Sequence, residues 1–116
     1  MSEDLIISAE NAKSIGRPIF DKIIQAFVHA NHKELIAQFP ELQDRMTPEL
    51  FDKAVVNLQR LGSLQSIKYS AYTRKDSYHS LIWLVKFQHH EDEVHWKLYL
   101  SDETKKIRVT GFGFNR

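Results

Sequence analysis

Residues 87–96 read Phe-Gln-His-His-Glu-Asp-Glu-Val-His-Trp, and hold three histidines and three acids. Imidazole nitrogens and carboxylate oxygens are ligands that zinc takes, and the same groups serve as general acids and bases. Whether they form one site depends on the element that carries them. Neighbouring strand residues point to opposite faces, so His89 and His90 cannot share a site in a regular strand. If Glu91 and Asp92 form a two-residue turn, His90 stands opposite Glu93 and diagonal to His95. That trio would lie on the outer sheet face. No spaced signature such as a helical His-Glu-x-x-His accompanies it, so the expectation is a solvated hairpin tip and no metal. His29 and His32 lie three apart at a helix end, where a cation–dipole contact is the simpler account.

The composition narrows the classes of function. The chain has 116 residues, 16 Lys+Arg against 15 Asp+Glu, and no cysteine. That length suits one domain, residues 1–116, with one sizeable core. Near-neutral charge argues against a dedicated nucleic-acid or membrane-surface binder. Absence of cysteine excludes disulfides, thiolate nucleophiles and cysteine-ligated metals. The first residues lack the basic and apolar regions of a signal peptide, and no apolar run approaches a bilayer span. The expected location is cytoplasmic, and no cofactor is expected.

The elements that must position any site change character once, near Gly62. Before it the apolar spacing is helical. Ile15, Ile19, Phe20, Ile23, Ile24, Phe27 and Val28 make one stripe, which predicts a helix over about 8–30, with Ser8 available as a cap. Gly16 to Pro18 disturb it: Pro18 either kinks this helix or opens its main part. Leu35, Ile36 and Phe39 predict a short second helix stopped by Pro40. Thr47, Pro48 and Glu49 suit the cap, first position and positive end of a third helix, and Gly62 suits its left-handed end.

After Gly62, period-two spacing predicts strands over about 64–74, 78–89, 94–101 and 106–115. The turns fall at Lys75–Asp76–Ser77, Glu91–Asp92 and Thr104–Lys105. Links this short make an antiparallel meander. In the resulting register Phe87 faces Trp96, Val85 faces Leu98 and Trp83 faces Leu100. Trp96 in turn faces Gly111 and Leu98 faces Val109, all on the face that covers the helices. Gly111 and Gly113 would bend the sheet there or leave room for a ring. The fold class is therefore α+β: three N-terminal helices on a curved four-stranded antiparallel sheet.

The stretch Ala26–Phe39, Ala-Phe-Val-His-Ala-Asn-His-Lys-Glu-Leu-Ile-Ala-Gln-Phe, looks like the end of a long first helix followed by a short one. Met46–Tyr69 looks like a capped helix running through Leu-Gly into a first strand. This order resembles small members of the nuclear transport factor 2-like, cystatin-like superfamily, over about residues 8–116. The resemblance implies a cone-shaped cavity between helices and sheet, where the superfamily's enzymes work. It does not by itself imply an activity, because that fold hosts several.

An enzyme of that kind would place an acid or base, with a polar partner such as tyrosine, in the cone. The inward set contains no carboxylate. Tyr69 and His79 are its nearest candidates, and His79 faces inward only if the first hairpin has a three-residue loop. Trp83, Phe87 and Trp96 would either line a pocket for a small apolar ligand or fill the space. The outer sheet face is expected to carry Tyr72, Ile82, Leu84, Tyr99, Phe112 and Phe114, rimmed by Lys68, Lys86, Lys97, Arg108 and His95. Six apolar residues on one face form a candidate interface, and the superfamily commonly packs that face on a partner's sheet. A single-stranded nucleic-acid platform would use a similar mixture, but balanced charge disfavours it. The reading is a non-catalytic small-ligand-binding or protein-association domain, homodimeric through the outer face. The alternative is an isomerase, dehydratase or hydrolase acting on a small apolar substrate through Tyr69 and His79.

Overall fold

Apolar stripes at helical spacing stay buried only if each helix lies on another element, and the chain solves this with a single sheet. The computed structural model describes residues 7–103 and 107–115. Three helices, α1 (Ala12–Val28), α2 (His32–Gln38) and α3 (Pro48–Gln59), precede four strands, with a 3-10 turn at Pro40–Leu42 between α2 and α3. The strands are β1 (Leu64–Lys75), β2 (Tyr78–Phe87), β3 (Val94–Ser101) and β4 (Arg108–Asn115). They pair antiparallel in the order β1-β2-β3-β4. The fold is α+β, with helices before strands in the sequence.

The start of α1 is later than the apolar spacing suggests. The Ser8 carbonyl accepts from the Asn11 and Ala12 amides, at 3.2 and 2.8 Å, and the Asn11 side chain accepts from the Ser8 amide at 2.7 Å. Residues 8–11 are thus used in a turn. Pro18 lies inside α1 rather than opening it. Gly16 has a packing role: a Cβ there would stand 2.4 Å from Leu81 Cδ2. Its missing side chain lets α1 settle on β2.

α1 ends as Ala30 takes a left-handed φ of 52°. Asn31 then caps α2 by accepting from the Glu34 amide. Thr47 Oγ1 accepts from the Leu50 amide at 3.3 Å, with Pro48 as first residue of α3, as its sequence signals require. Gly62, at φ +86°, turns the chain into β1, and the His89 ring packs where its Cβ would be, 2.6 Å away.

Aromatic rings make the junction between the two layers. Phe20 of α1 stacks on Trp83 of β2, centroids 5.0 Å apart and planes 5° apart. Phe27 meets Phe51 of α3 at 4.7 Å and Trp96 of β3 at 5.8 Å. Trp83 and Trp96 are completely buried.

The sheet register corrects several expectations. The first hairpin has a two-residue loop, Asp76–Ser77, with Lys75 opposite Tyr78. Asp76 supplies the left-handed φ, 56°, a conformation that aspartate tolerates better than most residues. Glu91–Asp92 is not the next turn. Trp83 faces Trp96 and Val85 faces Val94, so residues 88–93 form the connection. The end of β2 instead extends along β1, with Leu64 opposite Phe87, and the Gln88 and His89 amides donate to Ser63 and Leu61 carbonyls. The slip is four residues, an even number, so faces are kept.

Three register shifts do change faces; the first leaves Gln65 extra in β1, between Leu64 opposite Phe87 and Ser66 opposite Lys86. Tyr69 faces Trp83 but Ala71 faces Ile82, which leaves Ser70 as an extra residue in β1. Leu100 faces Val109 but Tyr99 faces Gly111, which leaves Thr110 extra in β4. One extra residue moves every later side chain to the other face. Tyr72 therefore turns inward opposite Leu81, and Phe112 and Phe114 turn inward opposite Leu98 and Trp96. Gly111 and Gly113 turn outward, not inward. The turn expected at Thr104–Lys105 lies outside the described residues.

Candidate functional site

His79 sits on β2 in phase with Leu81, Trp83, Val85 and Phe87, all of them buried. It faces inward with a two-residue hairpin loop, not the three-residue loop expected, because β2 keeps an unbroken alternation up to the turn. Its side chain has no exposure. Buried imidazole nitrogens need partners, and both have one. Nε2 lies 2.9 Å from Asp102 Oδ2 and Nδ1 lies 2.7 Å from the Tyr72 hydroxyl. A carboxylate only accepts, so Nε2–H donates to Asp102. In the neutral ring Nδ1 then accepts from the Tyr72 O–H.

The same carboxylate oxygen of Asp102 accepts from the Ile7 amide at 2.9 Å, and the Tyr72 oxygen lies 3.5 Å from the Ile7 carbonyl. The network therefore fastens the chain before α1 to the tip of the sheet. Burial alone would raise the Asp102 carboxyl. The Ile7 hydrogen bond, the charge and hydrogen bond of His79 and the charge of Arg74 outweigh it, and the carboxyl ends below its ordinary 3.8. Burial pushes the Tyr72 phenol up; Arg74 pulls it down and Asp102 pushes it up. Tyr72 thus stays a proton donor in the neutral range.

Tyr69, the expected partner of His79, lies elsewhere. Its ring meets Trp83 at 5.0 Å, and burial, then Tyr72, raises its phenol. Tyr72 and Asp102 take its place, and both were legible in part. Asp102 continues the β3 alternation Val94, Trp96, Leu98, Leu100 beyond the strand end. Tyr72 required knowledge of the bulge at Ser70, which no glycine marks.

Trp83, Phe87 and Trp96 are 0, 2 and 0 % exposed. Phe20, Phe27 and Phe114 pack against the two tryptophans, so these rings fill the space between the layers. None of the principal clefts among the described residues is lined by them. Neither indole Nε1–H has a hydrogen-bond partner among the described residues, an omission that costs about 1–3 kcal/mol each in a dry interior.

The residues expected on the outer face divide evenly. Tyr72, Phe112 and Phe114 belong to the inner side: Phe112 meets Phe27 at 5.3 Å and Phe114 stacks on Trp96 at 4.7 Å. Ile82, Leu84 and Tyr99 stay outside. They stand in cross-strand rows Lys68–Leu84–His95, Ala71–Ile82–Lys97–Gly113 and Thr73–Ser80–Tyr99–Gly111. Ile82 and Leu84 are half-buried and Tyr99 is 39 % exposed.

The histidine-rich stretch becomes a closed loop. The Lys86 ammonium donates to the carbonyls of His90 and Glu91, and His90 Nδ1–H donates to the Asp92 carbonyl at 2.7 Å. His90, Glu93 and His95 do not converge, and no group of three or more metal-ligating side chains does so among the described residues. His32 is likewise in use: Nε2–H donates to the Met46 carbonyl at 2.8 Å, joining the start of α2 to the loop before α3. No helix among the described residues is long and apolar enough to cross a membrane. No protein-family model, curated protein or solved structure matches the chain.

Proposed function

We propose that the protein is a non-catalytic association domain that pairs with a second copy of itself through the outer face of the sheet. The observation that carries this reading is the row structure of that face. Ile82 and Leu84 are adjacent outward positions of the central strand β2, and the rows beside them hold Ala71, Gly111 and Gly113. A Cβ at Gly113 would meet nothing within 4 Å, so the surface beside Lys97 is open there. Sheet faces stack on another sheet at about 10 Å. Lys68 and His95 flank Leu84, and Lys97 stands between Ile82 and Gly113, the polar groups such an interface carries beside its apolar ones.

An enzyme reading has one observation in its favour, the Asp102–His79–Tyr72 chain of hydrogen bonds, which has the composition of a proton relay. Against it, the His79 side chain has no exposure and both its ring nitrogens are occupied. The single O–H of Tyr72 is spent on His79 Nδ1. The network serves attachment of the chain better than turnover. Membership of the nuclear transport factor 2-like superfamily is part of the same proposal and rests on the residue motifs quoted above.

Sedimentation velocity at micromolar concentration tests the association. The wild-type chain should sediment as a dimer, and Leu84→Glu, which puts a charge in the centre of the interface, should sediment as a folded monomer. A wild-type monomer overturns the reading.

A further inference from the structure

The bulge at Thr110 has a second effect, on the outer surface. By turning Phe112 and Phe114 inward it leaves Gly111 facing out beside Tyr99. A Cβ on Gly111 would find only Tyr99 Cδ2 at 3.6 Å and Arg45 Nη1 at 4.0 Å. Over this bare backbone lies a cleft of about 470 Å³, lined by Arg45, Tyr78, Tyr99, Thr110, Gly111 and Phe112. A smaller cleft of about 240 Å³ adjoins it, shares Arg45, Tyr78 and Thr110, and adds Arg108 and Glu103.

Three properties of this place are unusual together. Tyr78 and Tyr99, 51 % and 39 % exposed, are two of the exposed large apolar side chains among the described residues, and both line this one cleft. Arg45 is the only charged residue in its lining, and its guanidinium has no ion-pair or hydrogen-bond partner among the described residues. The adjoining cleft also holds two acids, Glu103 and Glu41, and Glu41 Oε2 accepts from the Val109 amide at 3.0 Å. The Arg45 guanidinium thus stands without a contact partner among the described residues, next to two aromatic faces and a floor without a side chain.

We propose that this cleft binds a small planar aromatic carboxylate. The ring lies on the Gly111 backbone between Tyr78 and Tyr99, where a flat apolar face replaces water on both phenols and only glycine permits such close approach. The carboxylate takes the forked N–H groups of Arg45, whose planar geometry matches it. The volume lies in the range of small-molecule sites. Fixed strands carry Tyr78, Tyr99 and Gly111, so the site is formed before the ligand arrives.

Sodium 1-naphthoate is the probe, titrated into the full-length ¹⁵N-labelled protein and followed by amide shifts. Saturable shifts centred on Tyr99, Thr110 and Gly111 are expected, with a midpoint on the order of 1 mM, the affinity reached by a ligand of this size. Arg45→Gln should weaken binding about tenfold, the loss expected for one charged hydrogen-bonded pair. Neutral 1-naphthalenemethanol should bind as weakly to the wild type as naphthoate binds to Arg45→Gln. Tyr99 and Gly111 lie on the face proposed for the dimer, so the monomeric Leu84→Glu should bind naphthoate at least as tightly as the wild type; weaker binding by Leu84→Glu overturns the proposal. Absence of saturation up to about 10 mM, well above that affinity, overturns the proposal. So does equal binding by Arg45→Gln, or shifts centred away from the cleft.

Discussion

Removal of the Asp102 carboxylate gives the sharpest test of how the sheet holds the chain before α1. Asp102→Ala takes the acceptor from two donors, the Ile7 amide and His79 Nε2–H, each 2.9 Å from Oδ2. Ile7 and the His79 side chain have no exposure, and the Asp102 side chain has 6 %, so water cannot replace it without a local opening. An unsatisfied buried donor costs about 1–3 kcal/mol, giving about 2–6 kcal/mol for the two. Relief from burying a carboxylate offsets part of this, leaving about 3 kcal/mol, a large share of the roughly 5–15 kcal/mol of a typical domain. At a urea slope of about 1.5 kcal/mol per molar the unfolding midpoint should fall by about 2 M.

Asp102→Asn keeps an acceptor oxygen and loses only the charge, so its loss at neutral pH should be about 1 kcal/mol. The folded carboxyl is depressed below 3.8, so its stabilisation is complete above that value. It fades as pH falls through the lower folded value, because the unfolded chain takes up the proton first. The gap between wild type and Asp102→Asn should therefore narrow below about pH 4. An Asp102→Ala variant within about 0.5 kcal/mol of wild type, or a gap to Asp102→Asn that stays constant into the acid range, would refute the reasoning.

Two further outcomes follow from the packing and the register. Gly16→Ala should destabilise by about 1–3 kcal/mol, the usual penalty of overpacking, because its Cβ would press on Leu81 Cδ2; a neutral effect in urea would contradict the seating of α1 on β2. Deletion of Thr110 should leave a folded protein with the near-ultraviolet dichroism of its buried tryptophans intact, since it removes only the extra residue of the bulge. Deletion of Lys97, a regular position of β3, should instead reverse part of that strand and unfold the chain.

The parts of the fold that were legible in the sequence are those with a local chemical signal. Thr47-Pro48-Glu49 announces the start of α3, Gly62 its end, and unbroken alternation from Leu81 to Phe87 the inner face of β2. The long β2–β3 slip did no harm, because four residues preserve the faces. The errors came from single extra residues. Ser70 and Thr110 are ordinary strand residues, and nothing in their types distinguishes a bulge from a regular pair. What selects each bulge is non-local: it brings Tyr72 to His79, and Phe112 and Phe114 to Phe27 and Trp96. A regular β4 would have placed two glycines against Trp96 and its neighbours, and two phenylalanines in water. One unpaired backbone position is a small disadvantage beside the burial of two such rings, each of which contributes about 1.5–3 kcal/mol.

These inward placements also decide where function can reside. Inside the sheet every polar group of the His79 network is committed to another, and the aromatic rings occupy the space that a ligand would need. A substrate entering there would have to displace Phe20 from Trp83 or Ile7 from Asp102, contacts that hold the two layers and the start of the chain together. Outside, the bulge at Thr110 has the reverse effect: it withdraws two large side chains from the surface and leaves glycine backbone between Tyr99 and Arg45. The feature that completes the core is therefore the one that opens the cleft. The Thr110 deletion tests which of these matters to the cleft. With the extra residue gone, Phe112 and Phe114 keep their inward places and the core survives. Gly111 then becomes the regular outward neighbour of Val109, still opposite Tyr99, so the glycine floor persists and naphthoate binding should persist with the fold, weakened only by loss of the Thr110 contact. A deletion variant that folds and does not bind would show that the cleft depends on the bulge itself and not on an outward Gly111.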